Sequence, residues 1–311
     1  MEGTGEAQHR CIDGKHLMHR DDPIFLVGFP RSGTTFLQSL LATQSSIVSF
    51  PETHFYTVLT GHLSLENGLI QVRDYNDVIE RAERMMGLAE DSMRYERLFA
   101  DHPEGVQSVE LFRSLLHELS QAYELPLPDD DHRLLEKTPM HILHMPRILS
   151  DFPDARFIHI TRHPVHAISS HVRKLSRREH PISELIKEFA QTLEKATDLQ
   201  RSHPERYFRL SYEQLVGDTE MQMAELMSWL GLRFHPERLA EHTKKAEDLV
   251  LPHETWKSRN TGKSEIVEAE IADLGWREVA TIQLLLEKEM KELDYPMIRP
   301  LFQMMYRWKN A

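Results

Sequence analysis

The apolar positions along this chain change period several times, and each change marks an element. Ile24 to Val27 form an unbroken apolar run, short and branched enough for a strand buried on both faces. After a turn, Phe36, Leu37, Leu40 and Leu41 recur at helical spacing and predict an amphipathic helix. A second short run, Ile47 to Phe50, ends in a turn opened by Pro51. Between 57 and 131 the pattern is helical: Val78, Ile79, Ala82, Met85 and Met86 form one stripe, and Val109, Phe112, Leu115, Leu116 and Leu119 another. These stripes predict a helical insertion lying over the first strand–helix unit, with an acidic loop from Pro126 to Asp131. Leu134 to Pro139 reads as a short strand or loop feeding a helix at about 140–150. Arg156 to Thr161 is the next strand signal, followed by a helix striped by Val165, Ile168, Val172 and Leu175. A long helix at 183–200, a strand at 207–211 and a helix at 219–230 closed by Gly231 come next. Residues 248–275 read as irregular and 276–292 as a final helix. Strands alternating with helices predict an α/β fold, a three-layer sandwich around a central parallel sheet. With no repeat or linker in view, residues 23–311 form one domain behind a polar leader, 1–22.

Composition narrows the function classes. Apolar residues at 40% and charged residues at 28% suit a globular protein able to bury a core. The formal net charge of −12 opposes nonspecific nucleic-acid binding by the molecule as a whole. Cys11 is the only cysteine, so no intrachain disulfide forms. The first 22 residues lack a signal-peptide core and no apolar run reaches membrane-spanning length, so a cytoplasmic location without a membrane span is expected. An acidic chain that holds a polyanion must gather its cations locally, and Arg31, Lys137, Arg162, Arg173 and Lys174 all fall near predicted element ends.

The densest chemistry lies between the first strand and helix. Gly28-Phe-Pro-Arg-Ser-Gly33 is a glycine-bearing turn feeding a helix N-terminus. Its N–H groups and the helix dipole converge on one spot, with Arg31, Ser32, Thr34 and Thr35 adding side-chain donors. That is an anion cradle. The spacing of Gly28 and Gly33 suits a P-loop, but Thr34 stands where a Walker-type lysine would follow. Further on, Arg162 ends a strand and Ser170 follows about two turns into the next helix. A rigid guanidinium fork and a hydroxyl there can grip a phosphate together.

Pro30-Arg-Ser-Gly-Thr-Thr35, combined with Arg162 and Ser170, resembles the sulfotransferases that use 3′-phosphoadenosine 5′-phosphosulfate (PAPS), and is closest to their tyrosylprotein and bacterial branch. The resemblance implies a P-loop-NTPase-like fold in which Arg31, Ser32, Gly33, Thr34 and Thr35 hold the 5′-phosphosulfate. It places Arg162 and Ser170 on the 3′-phosphate, Tyr212 near the adenine, and Lys137 of Glu-Lys-Thr-Pro at the donor sulfate. Arg259 and Lys263 fall where the family brings a basic segment over the nucleotide, although Arg259-Asn-Thr-Gly-Lys-Ser departs from the arylsulfotransferase order. The histidine base of that branch is replaced by Pro139, so the base is expected to be Glu52, in the glutamate position of the tyrosylprotein-like branch, with His54 as its rival. A sulfuryl group carries less charge than a phosphoryl group, so no metal is expected to be required, and the histidines at 141, 144, 163 and 166 are read as packing or surface residues. The implied reaction moves a sulfuryl group to a hydroxyl or, second to it, an amine acceptor on a small molecule, glycan or peptide, and releases adenosine 3′,5′-bisphosphate. A P-loop kinase or nucleotidase and a non-catalytic bisphosphate-binding module are the alternatives.

Overall fold

The computed structural model describes residues 23–66, 68–87, 100–127, 132–174, 181–249, 251 and 273–298. The leader, Arg259 and Lys263 lie outside them. Among the described residues there are seven strands: β1 (Ile24–Val27), β2 (Ile47–Ser49), β3 (Leu69–Ile70), β4 (Val106–Gln107), β5 (Arg133–Lys137), β6 (Arg156–Thr161) and β7 (Tyr207–Ser211). Five make one parallel sheet in the order β2-β5-β1-β6-β7. The apolar strand read first in the sequence is its centre, with Ile24 opposite Leu135 on one side and Arg156 on the other.

Strand alternation divides the core. Ile24 and Leu26 pack with Phe36, Leu37, Leu40 and Leu41 of the helix Thr34–Ala42, and with Leu226, Met227 and Leu230 of the helix Thr219–Leu230. Phe25 and Val27 point the other way, into a cluster with Phe152, Phe157 and the insertion. The insertion therefore covers the face of β1 opposite the first helix, a detail that the expectation of an insertion over the strand–helix unit did not specify. Each face of β1 offers an apolar pair, and the first helix already occupies one.

The insertion is also less purely helical than its stripes suggest. Helices Tyr75–Met86 and Ser108–Tyr123 bury Val78, Ile79, Ala82, Met86, Leu111, Phe112, Leu115, Leu116 and Leu119 as expected. They are joined by the antiparallel pair β3–β4 and preceded by a single π-type turn, Phe55–Leu59. The helix expected at about 140–150 begins as a 3-10 segment, Pro139–His144, and becomes α-helical only over Met145–Asp151. Pro146 has no N–H to give to a preceding carbonyl, so the α pattern restarts around it. The final helix is Trp276–Leu285 and Glu287–Glu292, interrupted at Leu286. A further helix, His242–Asp248, carries no clear stripe and was not anticipated.

A third cluster buttresses the site. Phe29, from the turn after β1, packs with Val165, Ile168, Leu185, Ile186, Phe189 and Ile282 of three helices: Pro164–Lys174, Ile182–Ser202 and Trp276–Leu285. No helix among the described residues is long and apolar enough to cross a membrane.

Candidate active site

In a parallel sheet all carboxyl ends lie along one edge, and the crevice outside them is where ligands bind. The expected functional residues within the described part follow β1, β2, β5, β6 and β7 there. The turn after β1 is held by Gly28 N–H donating to Pro139 O at 3.1 Å and Ser32 N–H to Phe29 O at 3.2 Å. Both glycines are sterically required. A Cβ on Gly28 would lie 2.4 Å from Ile160 O, and one on Gly33, at φ 98°, would lie 2.4 Å from a Tyr212 ring carbon. Arg31 adopts φ 71°, a left-handed conformation that non-glycine residues seldom take outside functional sites.

Gly33 caps the helix Thr34–Ala42 without a side-chain hydrogen bond, and the first turn holds no acidic residue. The positive helix end is therefore open to an anion. Ser32 is fully buried, yet its Oγ has no hydrogen-bond partner among the described residues. A buried hydroxyl left unpaired is costly, and an oxyanion in the cradle would satisfy it. Thr34, where a Walker lysine would stand, is buried, and Thr35 is half-buried.

Cations crowd this loop. Arg31 Nε donates to Ser170 Oγ at 3.3 Å, and Arg162 Nη1 donates to the Arg31 carbonyl at 3.1 Å. The Arg162 guanidinium stacks 4.3 Å from the centre of the Tyr212 ring. Tyr212 itself is buried between Arg162 and Gly33. Burial lowers the Arg31 pKa, the charges of Arg162 and Arg173 lower it further, and Glu52 pulls in the opposite direction. Like charges held this close call for an anion. The sequence paired Ser170 with Arg162; the geometry adds a bond from Ser170 to Arg31, so both halves of the phosphate signature form one cluster. Arg173 sits at its margin, its Nε 2.5 Å from Asp273 Oδ2.

Glu52, His54 and Lys137 also come together. Lys137, 2% exposed at the end of β5, donates from Nζ to Glu52 Oε1, and His54 Nε2 lies 3.4 Å from Glu52 Oε2. The turn carrying Glu52 is fixed from below. Buried Gln38 of the first helix donates to Ser49 Oγ at 2.9 Å and to Phe50 O at 2.8 Å, and Ser49 Oγ donates to Leu135 O at 3.0 Å. Behind it lies a buried hydrogen-bonded pair, Glu136 with His141 at 2.8 Å. Gln38 and Glu136 were missed from the sequence. Glu136 did carry a signal, as a carboxylate beside the apolar pair Leu134-Leu135 in a strand pattern.

A parallel sheet with a glycine-bearing turn and helix N-terminus after its central strand, and a guanidinium–hydroxyl cluster after the adjacent one, defines a class: an α/β protein whose sheet edge is suited to an anionic ligand. A sequence profile of the sulfotransferase family matches residues 23–236, and the chain belongs to that family. It is similar to the omega-hydroxy-beta-dihydromenaquinone-9 sulfotransferase Stf3 of Mycobacterium bovis, at 24% identity over 250 residues, 68% of this chain and 63% of that protein. The chain thus matches under two thirds of the length of that relative. The sulfotransferase domain of the Synechococcus PCC 7002 olefin synthase has a similar structure, with a TM-score of 0.60 at 20% identity over 89% of this chain and 96% of that one. The sulfotransferase domain of the curacin biosynthetic pathway gives a TM-score of 0.56 at 21% identity over 89% and 99%. The α/β fold expected from the sequence is the fold of these domains.

Proposed function

We propose that this protein transfers the sulfuryl group of PAPS to a hydroxyl acceptor. The observation that carries the reading is the joined cluster of Arg31, Ser170 and Arg162 around a cradle whose buried Ser32 hydroxyl lacks a partner. The residues fit such a donor. Ser32, Thr34, Thr35 and the loop amides would hold its 5′-phosphosulfate, while Arg162 and Ser170 would hold its 3′-phosphate. When bound, PAPS supplies an activated sulfuryl group whose leaving group is a phosphate.

The chain's own residues then have defined tasks. Negative charge grows on the oxygen leaving sulfur, and Arg31, the loop amides and Lys137 are the fixed positive groups near it. Glu52 accepts the acceptor's hydroxyl proton, and Lys137 and His54, both beside its carboxylate, hold it in place. A hydroxyl acceptor is favoured because the Mycobacterium relative's name specifies a hydroxylated substrate. Protein of the family with Thr34 in place of the Walker lysine gives no support to a kinase reading.

The test is thermal shift with adenosine 3′,5′-bisphosphate set against ATP with Mg²⁺. A ligand at about 100 times its Kd adds roughly 2.7 kcal/mol of stability. The bisphosphate is expected to raise the melting temperature equally with and without EDTA. A rise with Mg·ATP alone would overturn the reading.

A further inference from the structure

Glu136 is 1% exposed, its carboxylate is held by His141 and two threonines, and the chemistry above leaves it without a task. Its Oε1 accepts from Thr53 Oγ1 at 2.8 Å, Thr138 Oγ1 at 2.7 Å and Thr53 N–H at 3.4 Å; its Oε2 accepts from His141 Nδ1 at 2.8 Å. Burial alone would raise this carboxyl's pKa, while the hydrogen bonds donated by His141, Thr138 and Thr53 lower it. The other ring nitrogen, His141 Nε2, lies 3.1 Å from Tyr56 N and must accept that N–H. His141 is therefore a neutral imidazole with its proton on Nδ1.

The network ends on consecutive backbone groups. Thr53 N–H goes to Glu136, His54 N–H to Thr138 Oγ1 at 3.2 Å, Phe55 N–H to Thr53 Oγ1 at 3.3 Å and Tyr56 N–H to His141. Every N–H from Thr53 to Tyr56 is thus fixed by one buried cluster. This segment directly follows Glu52, and it holds His54 at φ 49° before the π-type turn. Glu136 of β5 and Thr138 just past its end flank Lys137, so the same cluster also positions the residue that bonds Glu52. Desolvating a carboxylate is expensive, and a network of this kind is stable only when fully satisfied.

We infer that Glu136, Thr138 and His141 are positioning residues that set the Glu52–His54 segment and Lys137 in working register. The inference rests on the reading of Glu52 as base. Only a group that accepts at every position serves here. Glutamine at 136 must present its N–H₂ on one side: toward His141 it forces the other tautomer and breaks the bond from Tyr56, and toward the threonines it faces the Thr53 N–H and removes the acceptor of both hydroxyls.

The experiment measures release of adenosine 3′,5′-bisphosphate from PAPS, with water and with a simple primary alcohol as acceptor, beside calorimetric bisphosphate affinity. Glu136→Gln and the milder Thr138→Val are each expected to lower kcat at least tenfold while the bisphosphate Kd stays within twofold. Heteronuclear NMR of His141, assigned by its loss in His141→Asn, is expected to show the Nδ1–H tautomer in the parent protein. Unchanged kcat in both variants, whatever their melting temperatures, overturns the inference. So does a matching loss of bisphosphate affinity, because the network would then support the whole crevice, and so does an Nε2–H or charged His141 in the parent. Glu52→Gln separates the two layers: full turnover there removes the base assignment itself, whereas a large loss beside normal Glu136→Gln and Thr138→Val removes only the positioning role.

Discussion

Arg162 tests the nucleotide site most directly, because a single side chain there makes two unlike contacts. Its fork donates to the Arg31 carbonyl, and its flat face lies on Tyr212. A charge-assisted hydrogen bond contributes about 1.5–3 kcal/mol, so Arg162→Ala should weaken bisphosphate binding roughly ten- to a hundredfold. Arg162→Lys should recover little of it, since an ammonium neither forks nor stacks as a guanidinium does. Calorimetric titration decides, and affinity unchanged in Arg162→Ala would end the 3′-phosphate assignment. At this scale the sequence was legible where residue type and spacing coincide with backbone need: Gly28, Arg31, Ser32 and Gly33 share one turn, and Arg162 and Ser170 sit at a strand end and on the next helix. It was illegible where polar side chains point inward. Gln38 and Thr53 look the same in a sequence whether solvated or buried, and only their partners, 11 to 83 positions away, reveal which.

At the level of elements, the insertion helices hold the side of the crevice where Glu52 stands. Phe112 is fully buried among Phe55, Tyr56 and Phe152, with ring centres 5.1, 6.3 and 5.6 Å away. Phe55 and Tyr56 belong to the segment that follows the proposed base. Phe112→Ala should therefore cost about 3–5 kcal/mol of stability by opening a cavity. Because the cavity lies beneath the base and away from the phosphate cradle, turnover should fall while bisphosphate affinity holds. Equal losses in both would show that the insertion supports the whole sheet edge. The two insertion helices were legible because each spans enough turns to print a stripe. The pair β3–β4 was not, since two-residue strands have no period to read. Nor was the insertion's side of the sheet: a helix stripe states that a face is buried, not against which partner.

For the molecule as a whole, two electrostatic effects set opposite expectations for stability in mild acid. The chain carries a formal charge of −12 and has a pI near 5.9, so if self-repulsion governed, stability would rise as pH falls toward that value. Its buried histidines argue otherwise. His159, under the phosphate loop on β6, bonds Tyr207 Oη at 2.7 Å, and burial, reinforced by Arg209, pushes its pKa down to about 3. Burial likewise lowers His144 and His163. In the unfolded chain such groups titrate near 6.5. Between about pH 6.5 and 3 the unfolded chain therefore binds a proton that folded His159 refuses, the lowered His144 and His163 act in the same direction below 6.5, and stability must fall as pH falls through that window. Each such group contributes up to about 1.4 kcal/mol per pH unit, against surface repulsion already screened by salt beyond roughly 8 Å. The histidines should prevail, with stability flat above about pH 7 and declining from about 6.5 downward. Denaturant unfolding at a series of pH values measures this, and His159→Asn, which keeps a polar partner for Tyr207 but cannot take up the proton, should flatten the decline. A parent curve that rises toward pH 5.9, or a variant with the parent's slope, would show that the buried histidines do not govern the acid response of this fold.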